Sequence, residues 1–521
     1  MNSTALARSI VRQLIENGVS NYVLSPGSRN APLSIALYEA ETRGLVNLFV
    51  RIDERGAAFF ALGLSKASEN YVAVICTSGT AAANFHPAAL EAYHSANKLL
   101  IITADRPSHL RQSGANQTTL QVGLLVPLRT LDIASNIEIS EFLTAGPIHL
   151  NIQFDEPLLS DDRTDWLAGL SPRTVPQFER SHIEEFSHKA RGALIVGHDR
   201  AGISAEDIST FAKKINWPLI AEDPLSFPSA ISHAALFLSD GDIRNALKPD
   251  QIIVIGRATL SRSINSFIKE CDEIVVIDPR ALSVDVERKA TKIFEALPRV
   301  EENFDSTWLQ LWIDVSSLAS KSINLDWSEQ SAIRTITENL PDEAAFFVGS
   351  SRPVRDIEAF SQPRSGITTF ANRGLAGIDG NISCVFGIAE RFERTYALLG
   401  DLTFLHDISA LVNPSSANLT IFVIDNNGGG IFNTLPQAGV AGFDKIFGTA
   451  HNLDLVRVVQ GFGLTAVKVK SQSDLLHSLV HQIPGLNIVV VEVPDRVANA
   501  TRLIEVVQSL VRAVRMGSNL A

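Results

Sequence analysis

What this chain lacks narrows it first. Its 521 residues include only three cysteines, Cys76, Cys271 and Cys384, far apart in sequence. They form neither a metal-binding spacing nor a disulfide framework, which points to a reducing compartment. No apolar run approaches the roughly 18 residues of a membrane span. The opening MNSTALARSI lacks the basic and apolar regions of a signal peptide, so a cytoplasmic protein is expected. Positive charge is in deficit: 45 Lys and Arg against 57 Asp and Glu leave a net charge of −12. That balance argues against nucleic acid or an anionic membrane surface as partner. Anionic small substrates would need a local basic island, which makes clustered arginines informative. A dinucleotide fingerprint is also missing, because GALIVGHDRAG (192–202) carries only part of the GxGxxG pattern.

The remaining composition, 45% hydrophobic and 20% charged, supplies ample core. Three domains of roughly 150 residues are expected. Leu6, Ile10, Val11, Leu14 and Ile15 fall on one face of an opening helix that Ser3 or Thr4 can cap and Gly18 can end. Short apolar runs then alternate with helical stretches, the pattern of parallel strands buried on both faces. NYVLS, YVAVICTS, KLLIITA and PIHLNI form a first set. GALIVG, PLIAED, QIIVIG and EIVVID form a second, and AAFFVGS, YALLGD, LTIFVIDNN and LNIVVVEV a third. A Pro- and charge-rich stretch over 161–180 reads as a linker. The expected architecture is α/β: three doubly wound domains with mostly parallel sheets, over 1–170, 185–325 and 330–521.

The third set carries the strongest chemical signal. YALLG delivers Asp401 at its carboxyl end, and Asn426 and Asn427 follow the strand LTIFVID, with Asn426 25 positions after Asp401. In parallel sheets the carboxyl ends of strands line the ligand crevice. A carboxylate, an amide oxygen and the Gly428 carbonyl make a half-shell of hard oxygens suited to Mg²⁺, which takes its other ligands from phosphates and water. Gly428, Gly429 and Gly430 let the backbone approach a diphosphate closely. Taken singly these are turn and cap residues; the spacing and the strand before each element favour the metal. Likewise, Asp53-Glu54-Arg55 alone is a charge cluster opening an apolar helix.

These motifs resemble those of the thiamine-diphosphate-dependent enzymes. GDL…DNNGG (from 400) is similar to the family's GDG…NN cofactor motif, with Leu402 replacing the second glycine, and CTSGTAAAN (76–84) resembles its TSGPGATN stretch. SPGSRNAPL, TADRP followed by GANQ, SSRPVR, NRGLAGIDG, DERG and DNNGGGIF together resemble one branch, that of the menaquinone pathway, which joins 2-oxoglutarate to isochorismate. The likeness covers the first and third sets, and the middle set adds little.

The resemblance implies the thiamine-diphosphate-binding fold, with a pyrimidine-binding domain first, a central Rossmann-like domain, and a diphosphate-binding domain last. It implies that Asp401, Asn426 and the Gly428 carbonyl hold Mg²⁺, or Mn²⁺, against the diphosphate. Leu402, Asn427 and Ile431 would line the cofactor and Ile378 would support it from beneath. Glu54 would bond N1′ of its aminopyrimidine. Ser351 and Arg355 would hold the succinyl carboxylate; Ser28, Arg29, Arg106 and Gln117 would face isochorismate. Asn116 would sit near the reacting carbon and Arg373 would bridge, with Arg280 a weaker candidate for isochorismate. Arg29, Arg106, Arg355 and Arg373 all read as turn-like segments beside strand ends. The resemblance further implies a homodimer with shared active sites, or a dimer of dimers. Unlike simple 2-oxoacid decarboxylases, the chain has no His-His pair; His86, His94 and His109 read as structural. Two alternatives stay open: another 2-oxoacid ligase or decarboxylase of this cofactor family, and a non-catalytic scaffold with its fold.

Overall fold

The structure, a computed structural model, describes residues 2–143, 146–171, 184–280 and 284–517. Its contacts separate two units. The first comprises Met1–Glu179, Gly374–Glu393 and Leu405–Ala417; the second comprises Arg180–Arg373, Arg394–Phe404 and Asn418–Ala521. The linker expected over 161–180 lies outside the described residues from 172 onward.

The first unit holds a six-stranded sheet of β1 (Asn21–Leu24), β2 (Asn47–Val50), β3 (Val72–Cys76), β4 (Leu99–Asp105), β5 (Thr130–Ile133) and β6 (Ile148–Gln153). The order is β2-β1-β3-β4-β6-β5, all parallel. β3 and β4 are buried throughout, as strands covered on both faces must be. The opening helix Ser3–Glu16 buries the expected face, including Leu6, Ile10, Val11 and Leu14. Its cap is Asn2 rather than Ser3 or Thr4: Asn2 Oδ1 accepts the Ala5 N–H at 2.8 Å. Ser3 is helical already and donates to the Asp155 carbonyl at 2.6 Å.

Two helices of this unit meet backbone to backbone. A Cβ on Gly63, in the Glu54–Ser68 helix, would lie 2.0 Å from the Cys384 carbonyl oxygen, and one on Gly387 would lie 2.1 Å from that of Phe60. No side chain fits at either position, so the Asn381–Ala389 helix packs with the first unit despite its place late in the chain. Gly63→Ala is therefore expected to cost about 1–3 kcal/mol through overpacking. Calorimetry of the full chain checks this, and an unchanged Tm would mean the helices do not approach so closely.

The second unit holds two sheets. β7 (Gly192–Val196), β8 (Leu219–Ala221), β9 (Gln251–Ile255), β10 (Ile274–Ile277) and β11 (Ala290–Phe294) are ordered β11-β10-β9-β7-β8. β12 (Ala345–Val348), β13 (Thr368–Phe370), β14 (Thr395–Gly400), β15 (Leu419–Asp425), β16 (Ala466–Val469) and β17 (Leu486–Glu492) are ordered β13-β12-β14-β15-β17-β16. Every pairing among them is parallel, as expected. Strand order reverses between β1 and β3 and again between β12 and β14, and such reversals open the crevices in which α/β sheets bind ligands. Among the described residues no helix is long and apolar enough to cross a membrane.

Candidate active site

At the carboxyl ends of β14 and β15 the second unit builds a cradle. β14 is followed directly by Asp401, 3% exposed, whose two oxygens accept the Leu402 N–H at 2.6 Å and the Gly428 N–H at 2.8 Å. β15 ends in Asp425 and passes into Asn426 and Asn427, the latter in the left-handed region at φ 61°. Gly428 follows at φ 136°, and a Cβ there would lie 2.2 Å from the Gly448 carbonyl oxygen. Asn427 is fixed by reciprocal bonds with Asn452, 2.9 Å from its Nδ2 and 2.8 Å to its Oδ1. Half-buried Ile431 lies just beyond, in the Gly430–Thr434 turn. The Gly428 carbonyl accepts one bond, from Gly430 N–H at 2.9 Å, and keeps a second lone pair.

Asn426 decides what the cradle can hold. Its Nδ2 donates to Glu329, while its Oδ1 is buried with no hydrogen-bond partner among the described residues. A buried carbonyl oxygen left unpaired costs free energy unless a ligand meets it. Like the Asp401 carboxylate and the Gly428 carbonyl, it is an oxygen donor of the hard kind that a small divalent cation takes.

Three residues here went unread in the sequence. His451 Nε2 stands 3.3 Å from Asp401 and 3.5 Å from Asp425, and hydrogen bonding to Asp401 raises its pKa. Burial raises that of Asp425. Glu329, 4% exposed at its side chain, is pushed up to about 7 by burial, against the pull of Arg352. Asp425 stood inside a quoted motif, but His451 and Glu329 lie in no pattern, and only the fold joins them to it. A cleft of about 310 Å³ opens here, lined by Asp425, Asn426, Asn427, His451 and Glu492 among others. A larger one, about 1050 Å³, lies at the amino ends of β7, β9 and β10. Its cations are already paired, Arg191 with Asp250 at 3.0 Å and Lys189 with Glu273 at 3.6 Å, so it offers no basic island.

Ser351 and Arg355 lie just after β12, across the strand reversal from Asp401. Arg355 is not in a turn: it belongs to the Arg352–Phe360 helix, and its Nη1 donates to the Ser351 carbonyl at 2.6 Å. Pro353 suggested a turn, yet proline is well tolerated in the first turn of a helix. Ser351 takes φ 76°, a left-handed conformation that costs a non-glycine residue about 1–3 kcal/mol. Arg355 is pulled down by burial and by its neighbours Arg352 and Arg373. Arg373, 3% exposed, forms a two-pronged pair with Glu222 at 2.8 and 3.2 Å. Arg280 is held by Asp278 at 2.8 Å and Asp199 at 2.9 Å, so both its flanks are engaged.

In the first unit the loops after β1, β3 and β4 bring Arg29 and Arg106 together. Arg106 Nη1 donates to Ser78 at 2.8 Å and to the Gln117 carbonyl at 2.6 Å. Burial and then the nearby Arg29 lower its pKa. Gln117 sits at φ 52°, and Ser28, Asn116 and Gln117 are exposed. Arg29 reaches the Phe154 carbonyl at 3.1 Å and Glu156 at 3.3 Å. Glu54 opens the Glu54–Ser68 helix, whose cap is Asp53. Asp53 also accepts from Ser409 at 2.6 Å. Half-buried Ile378 follows Gly374 and Leu375, whose N–H groups both bond to Glu91, at 2.8 and 2.7 Å.

Residues 4–124 match the model of the thiamine pyrophosphate enzyme N-terminal TPP binding domain, and residues 160–348 match the middle domain of thiamine pyrophosphate enzymes. The solved structure of benzoylformate decarboxylase from Polynucleobacter necessarius superposes with a TM-score of 0.64 at 18% identity, over 95% of this chain and 99% of that one, which speaks to the fold. A 2-succinyl-5-enolpyruvyl-6-hydroxy-3-cyclohexene-1-carboxylate synthase from Nocardioides sp. is 37% identical over 94% of each chain. The synthase of the same name from Thermobifida fusca is 34% identical over 98% of this chain and 99% of its own. Likeness of that degree over nearly the whole length shows that the chain belongs to the family of 2-succinyl-5-enolpyruvyl-6-hydroxy-3-cyclohexene-1-carboxylate synthases, among the thiamine-pyrophosphate enzymes.

Proposed function

We propose that the protein decarboxylates 2-oxoglutarate and joins the remaining succinyl unit to isochorismate, making the product for which its relatives are named, in menaquinone biosynthesis. The observation that carries this reading is the crowding of guanidinium groups in an acidic protein. The pKa of Arg106 is lowered by burial first and then by Arg29, and that of Arg355 by burial first and then by Arg352 and Arg373. Arg29, Arg352 and Arg373 already meet Glu156, Asp356 and Glu222, whereas Arg106 and Arg355 have no ion-pair partner among the described residues, and both substrates are polyanions suited to arginine forks.

Thiamine diphosphate, when bound, supplies the carbon that attacks the 2-oxoacid carbonyl and stores the electron pair left as CO₂ departs. Asp401, Asn426 and the Gly428 carbonyl would hold its Mg²⁺, or Mn²⁺, with Leu402, Asn427 and Ile431 beside the diphosphate. Ile378 would support the cofactor and Glu54 would hold a proton at N1′. Ser351 and Arg355 would grip the distal carboxylate of 2-oxoglutarate. Ser28, Arg29, Arg106 and Gln117 would receive isochorismate, with Asn116 at the reacting carbon. Arg373 would orient from its pair with Glu222. In this reading the division into domains at 1–170, 185–325 and 330–521 assigns pyrimidine, structural and diphosphate roles in turn. The setting is the cytoplasm and the assembly a homodimer, or a pair of them. Apolar side chains beside Glu54 support the pairing, since Val50 and Ile52 are 53% and 66% exposed.

Mass analysis of the product from pure protein, Mg²⁺, thiamine diphosphate, 2-oxoglutarate and isochorismate tests the reading, which fails if no joined product forms. The arginines then separate. Arg355→Ala is expected to impair decarboxylation, and Arg106→Ala or Arg29→Ala the joining step, each by about tenfold to a hundredfold, the worth of a charged hydrogen bond. Single-turnover decarboxylation without isochorismate distinguishes them. Equal damage there by Arg106→Ala would refute the assignment.

A further inference from the structure

We propose that Glu329 is a positioning residue that decides which end of the Asn426 amide meets the cation. The inference rests on the reading above, in which Asn426 is a ligand of the cofactor's metal ion.

The two ends of an amide are nearly the same size, but only the oxygen can bind a cation. An unrestrained asparagine could present either. A carboxyl oxygen that bears no proton removes the ambiguity because it can only accept a hydrogen bond. Glu329 Oε1 accepts from Asn426 Nδ2, which leaves Oδ1 as the end that is buried and unpartnered. Glu329 is itself held from both sides. Its backbone N–H donates to Asn499 Oδ1 at 3.0 Å, and its Oε2 lies 3.7 Å from Arg352 Nε. Arg352 is in turn paired with Asp356. Ser328, directly before it, caps the Glu329–Asn339 helix through a reciprocal bond pair with Ser331, so the carboxylate projects from a fixed helix start. Such outer partners of metal ligands typically change affinity by about 10–100-fold when lost.

A double-mutant cycle separates orientation from mere charge or support. Mn²⁺ is titrated into each protein with thiamine diphosphate present and read by electron paramagnetic resonance. Glu329→Gln can donate as well as accept and should weaken Mn²⁺ about 10–100-fold beside Asn426. Glu329→Asp keeps the charge but loses reach, and should weaken it similarly. In an Asn426→Asp background both ends are oxygens, so no orientation remains to be set. There Glu329→Gln should cost nothing, or improve binding by removing a facing carboxylate. A loss of the same size in both backgrounds, or wild-type affinity in Glu329→Asp and Glu329→Gln beside Asn426, overturns the proposal. If the wild type binds Mn²⁺ and Asp401→Ala abolishes it, those outcomes leave the metal reading intact. A wild type that binds no Mn²⁺ overturns both.

Discussion

Replacing Glu54 with Gln is expected to lower turnover about 10²–10⁴-fold, the usual worth of a general acid–base group. The fold and most of the cofactor affinity should survive. The structure makes this residue the right one to test in its cluster of three charges. Asp53 is engaged as a helix cap by Gly56 N–H at 3.3 Å and by Ser409 at 2.6 Å. Arg55 donates to the His406 carbonyl at 2.9 Å and lies 3.8 Å from Asp407. Glu54 has no hydrogen-bond or ion-pair partner among the described residues, so its carboxylate is free to meet a ligand. Gln keeps the shape and one acceptor but cannot exchange a proton with N1′. The direct measurement is proton–deuterium exchange at C2 of the bound cofactor. Exchange at the wild-type rate in Glu54→Gln would take Glu54 out of the proton chemistry.

Much of this architecture was legible because parallel sheets write themselves as apolar runs. Each of the twelve runs read as strands is a strand, and the central ones, such as Val72–Cys76 and Leu419–Asp425, are buried along their whole length. The five strands that composition hid, β2, β5, β11, β13 and β16, all stand at sheet edges. Their half-exposed patterns offer no continuous run. The residues at the ends of β14 and β15 could be found because motif and strand end coincide. Glu329 and His451 could not, since each reaches the cradle across a gap that only packing closes: Glu329 lies 97 positions from Asn426, and His451 50 from Asp401. The role of the Asn381–Ala389 helix was equally hidden, because Gly63 and Gly387 signal close approach only once both helices are placed.

The remaining large effect is complementation between two inactive proteins. Glu54 lies in the first unit and Asp401 in the second, 347 positions apart in sequence (401 − 54). If each active site joins the first unit of one chain to the second unit of its partner, lesions in the two units sort by symmetry. Glu54→Gln and Asp401→Ala homodimers would then each carry a lesion in every site, the first in proton transfer and the second in the one formal charge among the proposed cation ligands. A mixed dimer then has one site with both lesions and one with neither. Co-expression under two tags gives about half mixed dimers, each with one live site of two, so activity should recover to roughly a quarter of wild type. If each chain instead builds its own site, every site keeps one lesion and nothing is recovered. Isolating the doubly tagged species sharpens the contrast to about half of wild-type activity against none. Doubly tagged dimers that load cofactor yet stay inactive would refute the shared site.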